Sequence, residues 1–409
     1  MKKKKNIFKT FLSSIKKKIT KGKNKFTIVE AISFMVITFA LGMIIGGVIM
    51  YGKGSYLGNM SPTFDDFIAT YNDILNNYYQ PVDGDKLLEA GIEGMVRYLG
   101  DPYSTYINHE NTENFNIVLD GSYSGIGAEI QLKDNPEALE IINVYEDSPA
   151  EKAGLSKGDI IIKVDGKDIK GLTAGEVSSM VKGKSGTTVK ITILRDNEEK
   201  EFTLTRGNVD LKSVATEVIE NKGKKIGYIY VSVFAENTDA QFKEAVEKLE
   251  KENVDSLIID LRQNSGGHLK TVTNMISLFT KKGDIIYQLK TKNKIEEFKD
   301  ETDEHREYKI AVIIDEESAS ASEVFTAAMK ETYGAKVIGQ TSFGKGKVQR
   351  AYNLSNGAMI KYTFQEWLTP NGNSIDGEGI KPDIEVEYKY NEKDKYDSQV
   401  KKAIEEMSK

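Results

Sequence analysis

Two polar side chains in the C-terminal half of the chain, Ser320 and Lys345, have the types and neighbours that acyl-transfer chemistry uses. Ser320 lies in Ser318-Ala319-Ser320-Ala321-Ser322-Glu323, between an apolar run, Ile310 to Ile314, and a helical pattern carried by Glu323, Val324, Ala327, Ala328 and Met329. The run is too short and too β-branched for a helix and reads as a buried strand. Ser320 then sits near a helix N-terminus, where unpaired backbone N–H groups and the positive dipole end favour negative charge, a setting for a nucleophile and its oxyanion. The same residues fit a capping box, Ser at the cap and Glu three residues on, which needs no chemistry. A serine nucleophile needs a base, and a lysine serves if burial keeps its amine neutral. Lys345 is placed for that role, flanked by glycines in Thr341-Ser342-Phe343-Gly344-Lys345-Gly346-Lys347-Val348-Gln349, after a second short strand, Lys336 to Gly339.

Four strings together carry a family resemblance: the serine-rich turn at 318–323, Phe-Gly-Lys-Gly-Lys-Val-Gln at 343–349, Asp-Leu-Arg-Gln-Asn-Ser-Gly-Gly at 260–267 and Leu-Thr-Pro-Asn-Gly-Asn-Ser-Ile at 368–375. In this order the chain resembles the carboxyl-terminal processing (tail-specific) peptidases, serine endopeptidases with a Ser/Lys dyad and an embedded PDZ domain. The resemblance implies Ser320 as nucleophile, Lys345 as general base and Gln349 as the residue that orients the lysine. It implies an oxyanion hole from the backbone N–H groups of Ala321 and Gly266, with Gly267 as the alternative. The family usually has Asn-Pro-Gly-Gly where this chain has Asn264-Ser265-Gly266-Gly267, and losing the proline loosens the choice between the two glycines. It also implies a ClpP/crotonase-like α/β catalytic core.

The elements that must position these residues follow the same division. Over residues 208–391 strand and helix patterns alternate, which predicts an α/β core with a mainly parallel sheet and a site at the strand C-terminal ends. Gly266-Gly267, Ser320 and Lys345 each follow such an end. Residues 115–207 read as a small β-rich domain, and Asp147 to Leu155, Gly158-Asp159-Ile160-Ile161 and Val164-Asp165-Gly166 resemble the bacterial PDZ pattern. The resemblance implies capture of a peptide as an added strand. Gly125, Ile126 and Gly127 would form the carboxylate nest, and Val177 on a helix from Thr173 to Val181 the pocket wall. The alternative is that Ile126, Val177 and Met180 are simply core. Residues 61–108 read as helical as far as Tyr106, with Asp101-Pro102 as the stop, and 392–409 as a solvated terminal helix.

Residues 1–27 form a basic tail, with eleven lysines and no acid in the first 25, and 28–51 contain the uncharged run Ala31 to Tyr51. About 21 residues at 1.5 Å each span a bilayer, and the lysines place the tail in the cytoplasm and everything after Tyr51 outside. An uncleaved single-pass anchor through residues 31–51 is therefore expected, a cleaved signal peptide being the competing reading. Gly42 and Gly46 could pair two anchors in a homodimer.

Setting those lysines apart from the formal charge of -6 leaves -17 on residues 26–409, which excludes a nucleic-acid footprint. The chain has no cysteine, excluding disulfides, thiolate metal sites and a cysteine nucleophile. Its three histidines, His109, His268 and His305, have no paired spacing for a metal, and only His268 is near the site motifs as a candidate base. Gly339 to Lys345 matches a phosphate-binding loop, but Gly346 replaces the Mg²⁺-holding hydroxyl and a strand pattern follows. No cofactor is expected. The leading expectation is a membrane-anchored serine endopeptidase acting near the C-termini of exterior proteins. The alternative is a catalytically silent PDZ scaffold that binds such C-termini.

Overall fold

The computed structural model describes residues 62–133 and 138–409, in two compact units divided after Gly91. In the first, helix α1 (Pro62–Asn77) and the first half of α2 (Gly84–Tyr98) put their apolar residues at spacings of three and four. The Tyr71 hydroxyl donates to the Gly84 carbonyl at 3.2 Å. Among the described residues no helix is long and apolar enough to cross a membrane. The expected anchor at 28–51, with its 31–51 run, lies outside the described residues.

The helical expectation up to Tyr106 fails at its end. Asp101-Pro102 closes the helix, Tyr103 N–H and the Ser104 hydroxyl bind the Asp101 carboxylate, and Thr105–Ile107 is instead strand β1. Helix α3 (His109–Asp120) follows, capped by Asn108 and ended by Gly121 at φ 66°.

The next segment is the expected small β domain. It comprises β2 (Ser122–Gly125), β3 (Ala128–Leu132), β4 (Leu139–Val144), α4 (Pro149–Ala153), β5 (Ile160–Val164), β6 (Lys167–Asp168), α5 (Ala174–Val181), β7 (Thr188–Arg195), β8 (Glu198–Thr205) and β9 (Gly207–Asp210). An antiparallel sheet of order β3-β4-β5-β7-β8 encloses Ile126, Ile141, Ile161, Val177, Ile191 and their neighbours, and a β2–β9 ribbon closes the domain. Arg195 binds Asp159 through two 2.6 Å bonds, which holds that carboxylate below its ordinary range although burial works the other way.

The remaining chain gives β10 (Val214–Asn221), β11 (Lys224–Val231), α6 (Thr238–Lys251), β12 (Ser256–Asp260), α7 (Leu269–Ile276), β13 (Ile285–Lys290), β14 (Ile295–Lys299), β15 (Lys309–Ile314), α8 (Ala321–Ala328), β16 (Lys336–Gly339), β17 (Lys347–Asn353), β18 (Met359–Leu368), β19 (Ile384–Glu385) and α9 (Ser398–Met407). The sheet β10-β11-β12-β15-β16-β19 is parallel throughout except at its β10 edge. Its central strands β12, β15 and β16 are buried on both faces, so they read as unbroken apolar runs. Ile310, Val312 and Ile314 point into the core under α6, α7 and α8, and Ala311 and Ile313 into the one under α9.

Two expectations are corrected here. A mainly parallel sheet describes only this one layer: β1, β13, β14, β17 and β18 form a separate antiparallel sheet, and the PDZ sheets are antiparallel too, so most strand pairing in the chain is antiparallel. The terminal helix is docked rather than solvated. Val400, Ala403, Ile404 and Met407 are buried against the sheet, and Arg262, bonded to Asp260 at 2.6 Å and Asp397 at 3.0 Å, locks its first turn to the end of β12.

Candidate active site

Ser320 is the cap of α8 and has φ 55° and ψ -112°, a conformation a non-glycine residue adopts only under constraint. The constraint comes from both sides. Ser318 hydroxyl donates to the Leu261 carbonyl at 2.8 Å, while the Ala319 N–H and the Ser322 hydroxyl both donate to the Asn264 carbonyl, at 3.0 and 2.7 Å. The serine turn is thus fastened to the loop after β12. Asn264 is fully buried, and its side chain donates to the Val231 carbonyl at 2.9 Å.

Gly266 passes directly against the serine. A Cβ there would lie 2.9 Å from Ser320 Cβ and 3.0 Å from the Ala321 nitrogen, at φ 109°, so only glycine permits this approach. The Gly266 N–H donates to Asn264 Oδ1 at 2.9 Å. Gly267 is packed as tightly, its added Cβ falling 2.2 Å from the Phe234 carbonyl, and no hydrogen bond of its N–H appears among the described residues. Ala321 is the first residue of α8, where a helix N–H has no intrahelical acceptor.

Glu323, three residues after the serine, is fully buried and joins the two candidate loops. Its Oε2 accepts from the Ser320 and Lys345 N–H groups, both at 2.8 Å. Its Oε1 accepts from the Ser342 hydroxyl and the Gly344 N–H, both at 2.6 Å. The Ser320 and Lys345 backbone nitrogens therefore lie within about 5.6 Å of each other, the sum of two 2.8 Å bonds. Burial raises the Glu323 carboxyl above its ordinary range, against these four bonds. The capping-box pattern was legible in the sequence; that the same carboxylate also holds the lysine loop was not.

The Lys345 side chain is half-buried. Burial first, then the Lys361 charge, push its amine below the usual lysine range, while Glu323 and Asp101 act in the opposite direction. Phe343, two residues before it, is exposed. The shielding comes from the segment before β1: Lys345 Nζ lies 5.3 Å from the centre of the Tyr103 ring. The Lys345 carbonyl accepts from Trp367 Nε1 at 2.9 Å. Among the described residues no hydrogen bond joins Lys345 Nζ to Ser320. Gln349, expected to orient the lysine, donates to the Tyr103 carbonyl, so it holds the residue that holds the lysine. Nothing in the sequence signalled Tyr103 beyond its place in the Asp101-Pro102-Tyr103-Ser104 string.

His268 caps α7 and His305 pairs with Glu307 at 3.3 Å. The strand expected after the phosphate-loop-like string is present as β17, so that string opens no helix.

In the β domain a cavity of about 220 Å³ is lined by Tyr123, Ile126, Ala128, Ile130, Ser178 and Val181 among others. Ile126 serves both cavity and core. Val177 is wholly buried in the core, and its helix neighbours Ser178 and Val181 face the cavity. Gly125 packs on the Tyr123 ring and Gly127 on Ser148. The carbonyls of Ile126 and Gly127 accept from Ala150 and Tyr145 at 2.7 and 2.9 Å.

The Peptidase family S41 profile matches residues 225–386, a PDZ domain profile matches 124–205, and the N-terminal domain profile of the activating protease CtpB matches 50–111. A probable CtpA-like serine protease of Staphylococcus haemolyticus (strain JCSC1435) is 41% identical over 319 residues, covering 77% of this chain and 63% of that protein. The chain belongs to the carboxyl-terminal processing peptidase family. A probable CtpA-like serine protease of Staphylococcus aureus (strain COL) is 40% identical over 320 residues, 78% of this chain and 63% of that protein. This member of the family thus spans less than two thirds of the length of these relatives. Among solved structures, the photosystem II D1 C-terminal processing protease is 25% identical, covering 77% of this chain and 85% of that one, with a TM-score of 0.46.

Proposed function

We propose that this chain is a membrane-anchored serine endopeptidase that cuts exterior proteins near their C-termini, with Ser320 as nucleophile and Lys345 as general base. The observation that carries the reading is the buried Glu323 carboxylate, which ties the Ser320 and Lys345 backbones to one oxygen atom. In the reaction the Ser320 hydroxyl gives its proton to the neutral Lys345 amine as the oxygen attacks the scissile carbonyl. The developing oxyanion is met by the Ala321 N–H and the glycine loop. Within that loop the Gly267 N–H is the better donor, because the Gly266 N–H is already engaged by Asn264. The ammonium then protonates the leaving amine, and water repeats the sequence on the acyl-enzyme. The cavity bounded by Ile126, Ile130 and Val181 receives the last side chain of the substrate, added as a strand beside β3. The uncharged run 31–51 supplies the anchor.

In this reading the form with Lys345 Nζ over Tyr103 is a resting one, and the amine is released toward Ser320 when substrate binds. That position of the amine is also what the second reading, a silent scaffold, predicts. Detergent-solubilised full chain, incubated with an unfolded protein, separates them. Cleavage by the parent, its loss in Ser320→Ala and Lys345→Ala, and a kcat/KM that rises with pH as the amine deprotonates support the dyad. Equal cleavage by both variants refutes it, and a limb centred near pH ~6.5 assigns the base to histidine. A parent that never cuts, with or without a PDZ-binding peptide, supports the scaffold.

A further inference from the structure

A second lysine, Lys361, is half-buried beside the site and has no role in the mechanism above. Lys361 lies on β18, opposite Ala351 of β17 and Thr105 of β1. On the same strand Thr363 lies opposite Gln349. Strand residues two apart, and directly paired residues, share a face of a sheet. Lys361, Thr363 and Gln349 therefore line one face, which Gln349 identifies by donating to the Tyr103 carbonyl beneath Lys345. The backbone agrees: the Thr363 N–H donates to the Ser104 hydroxyl at 3.1 Å, next to Tyr103. Lys361 Nζ lies 5.3 Å from the centre of the Phe115 ring of α3, and among the described residues no carboxylate pairs with it.

The charges around Lys345 give this second ammonium its meaning. From α8, Glu323 favours the charged form of Lys345, and from the segment before β1, Asp101 does the same. Tyr103 offers its ring face to the same cation. Lys347, the cation nearest in sequence, is spent on Asp376 at 2.9 Å. These neighbours work against the burial that depresses the amine. Lys361 opposes them from β18, and the Phe115 ring gives its own charge a favourable seat. Two amines in one poorly hydrated cluster titrate as a pair, so a proton on one is withheld from the other.

We propose that Lys361 is a positioning residue of the peptidase site, a half-buried cation that keeps the Lys345 amine free to accept the serine proton. The inference rests on Lys345 being the general base. Its tests are Lys361→Met, which keeps the chain length and removes the charge, and Lys361→Arg, which keeps the charge permanently. Read by kcat/KM on an unfolded protein from neutral to alkaline pH with the full chain, the Met variant loses about tenfold at neutral pH and regains the parental plateau at high pH. The Arg variant keeps the parental profile. In the Ser320→Ala background, side-chain NMR of labelled lysine shows Lys345 deprotonating at higher pH once Lys361 is Met. A Met variant whose profile and Lys345 titration superimpose on the parent's overturns the inference, as does one that loses equally at every pH while melting normally. If the Met variant does not fold, an Arg variant that folds but loses activity across the range overturns it. Failure of the dyad is distinguishable, because Lys345→Ala would then still cut; an inactive Lys345→Ala with an unmoved Lys361→Met profile sinks this inference alone.

Discussion

Replacing Glu323 tests whether one carboxylate organises the site. Glutamine presents one oxygen and one NH₂ to four donors, and its two orientations are not equivalent. With NH₂ at the Oε2 position, the Ser320 and Lys345 N–H groups both lose their acceptor. With NH₂ at the Oε1 position, only the Gly344 N–H is orphaned, because the Ser342 hydroxyl can turn to accept. The amide takes the second orientation and preserves the tie between the two loops. One orphaned buried donor costs about 1–3 kcal/mol. Against this, the ionised carboxylate is itself buried at a cost, since its folded pKa is raised mainly by burial. A raised value means that the group's stabilising contribution is present below its unfolded pKa and is lost as pH rises through the folded value. At neutral pH Glu323→Gln therefore changes stability by less than about 2 kcal/mol, and the variant loses the extra stability the parent gains on mild acidification. Glu323→Ala orphans three N–H groups at about 1–3 kcal/mol each, releases Ser320 from its strained backbone, and should lose at least about 3 kcal/mol together with all measurable cleavage. Denaturant melts at two pH values and kcat/KM on an unfolded protein are the assays. An alanine variant that melts and cuts like the parent would refute the reasoning.

The close approach at Gly266 predicts that Gly266→Ala forces the glycine loop off the serine. Cleavage should fall at least about 100-fold, with a loss of stability of about 1–3 kcal/mol from the strained φ, and an active Gly266→Ala enzyme rules out the described loop geometry. Arg262→Ala leaves the buried Asp260 and the half-buried Asp397 without their cation and should cost about 3–5 kcal/mol. Faster hydrogen exchange in residues 398–407 should accompany that loss, and unchanged protection there would show that the helix is held by its apolar face alone.

Much of the fold was legible because periodicity reports local burial. The runs at 256–261 and 310–314 are strands covered on both faces, and such strands need apolar residues without alternation. The Thr173 cap and its helix were readable for the same local reason, since a capping box is closed within four residues. The terminal helix was misread because Val400, Ile404 and Met407 show an amphipathic face but not the sheet that receives it. Val177 was ambiguous because pocket and core both demand an apolar residue, and only the turn of the helix separates it from Ser178 and Val181.

By itself the sequence determined the chemical types at the site: a serine at a helix start, a lysine between glycines and a glycine pair after a strand, each fixed by a local pattern. The tertiary structure alone decided how they are held. Glu323 reaches from the serine turn to the lysine loop across 22 residues, and the Tyr103 ring and the Lys361 charge act on the same amine from positions 242 residues before it and 16 after it. Hydrogen bonds and charges act through space over a few ångströms, and the separation of two residues along a chain does not encode that distance. The pattern therefore named the participants, and the packing set the protonation state on which their chemistry depends.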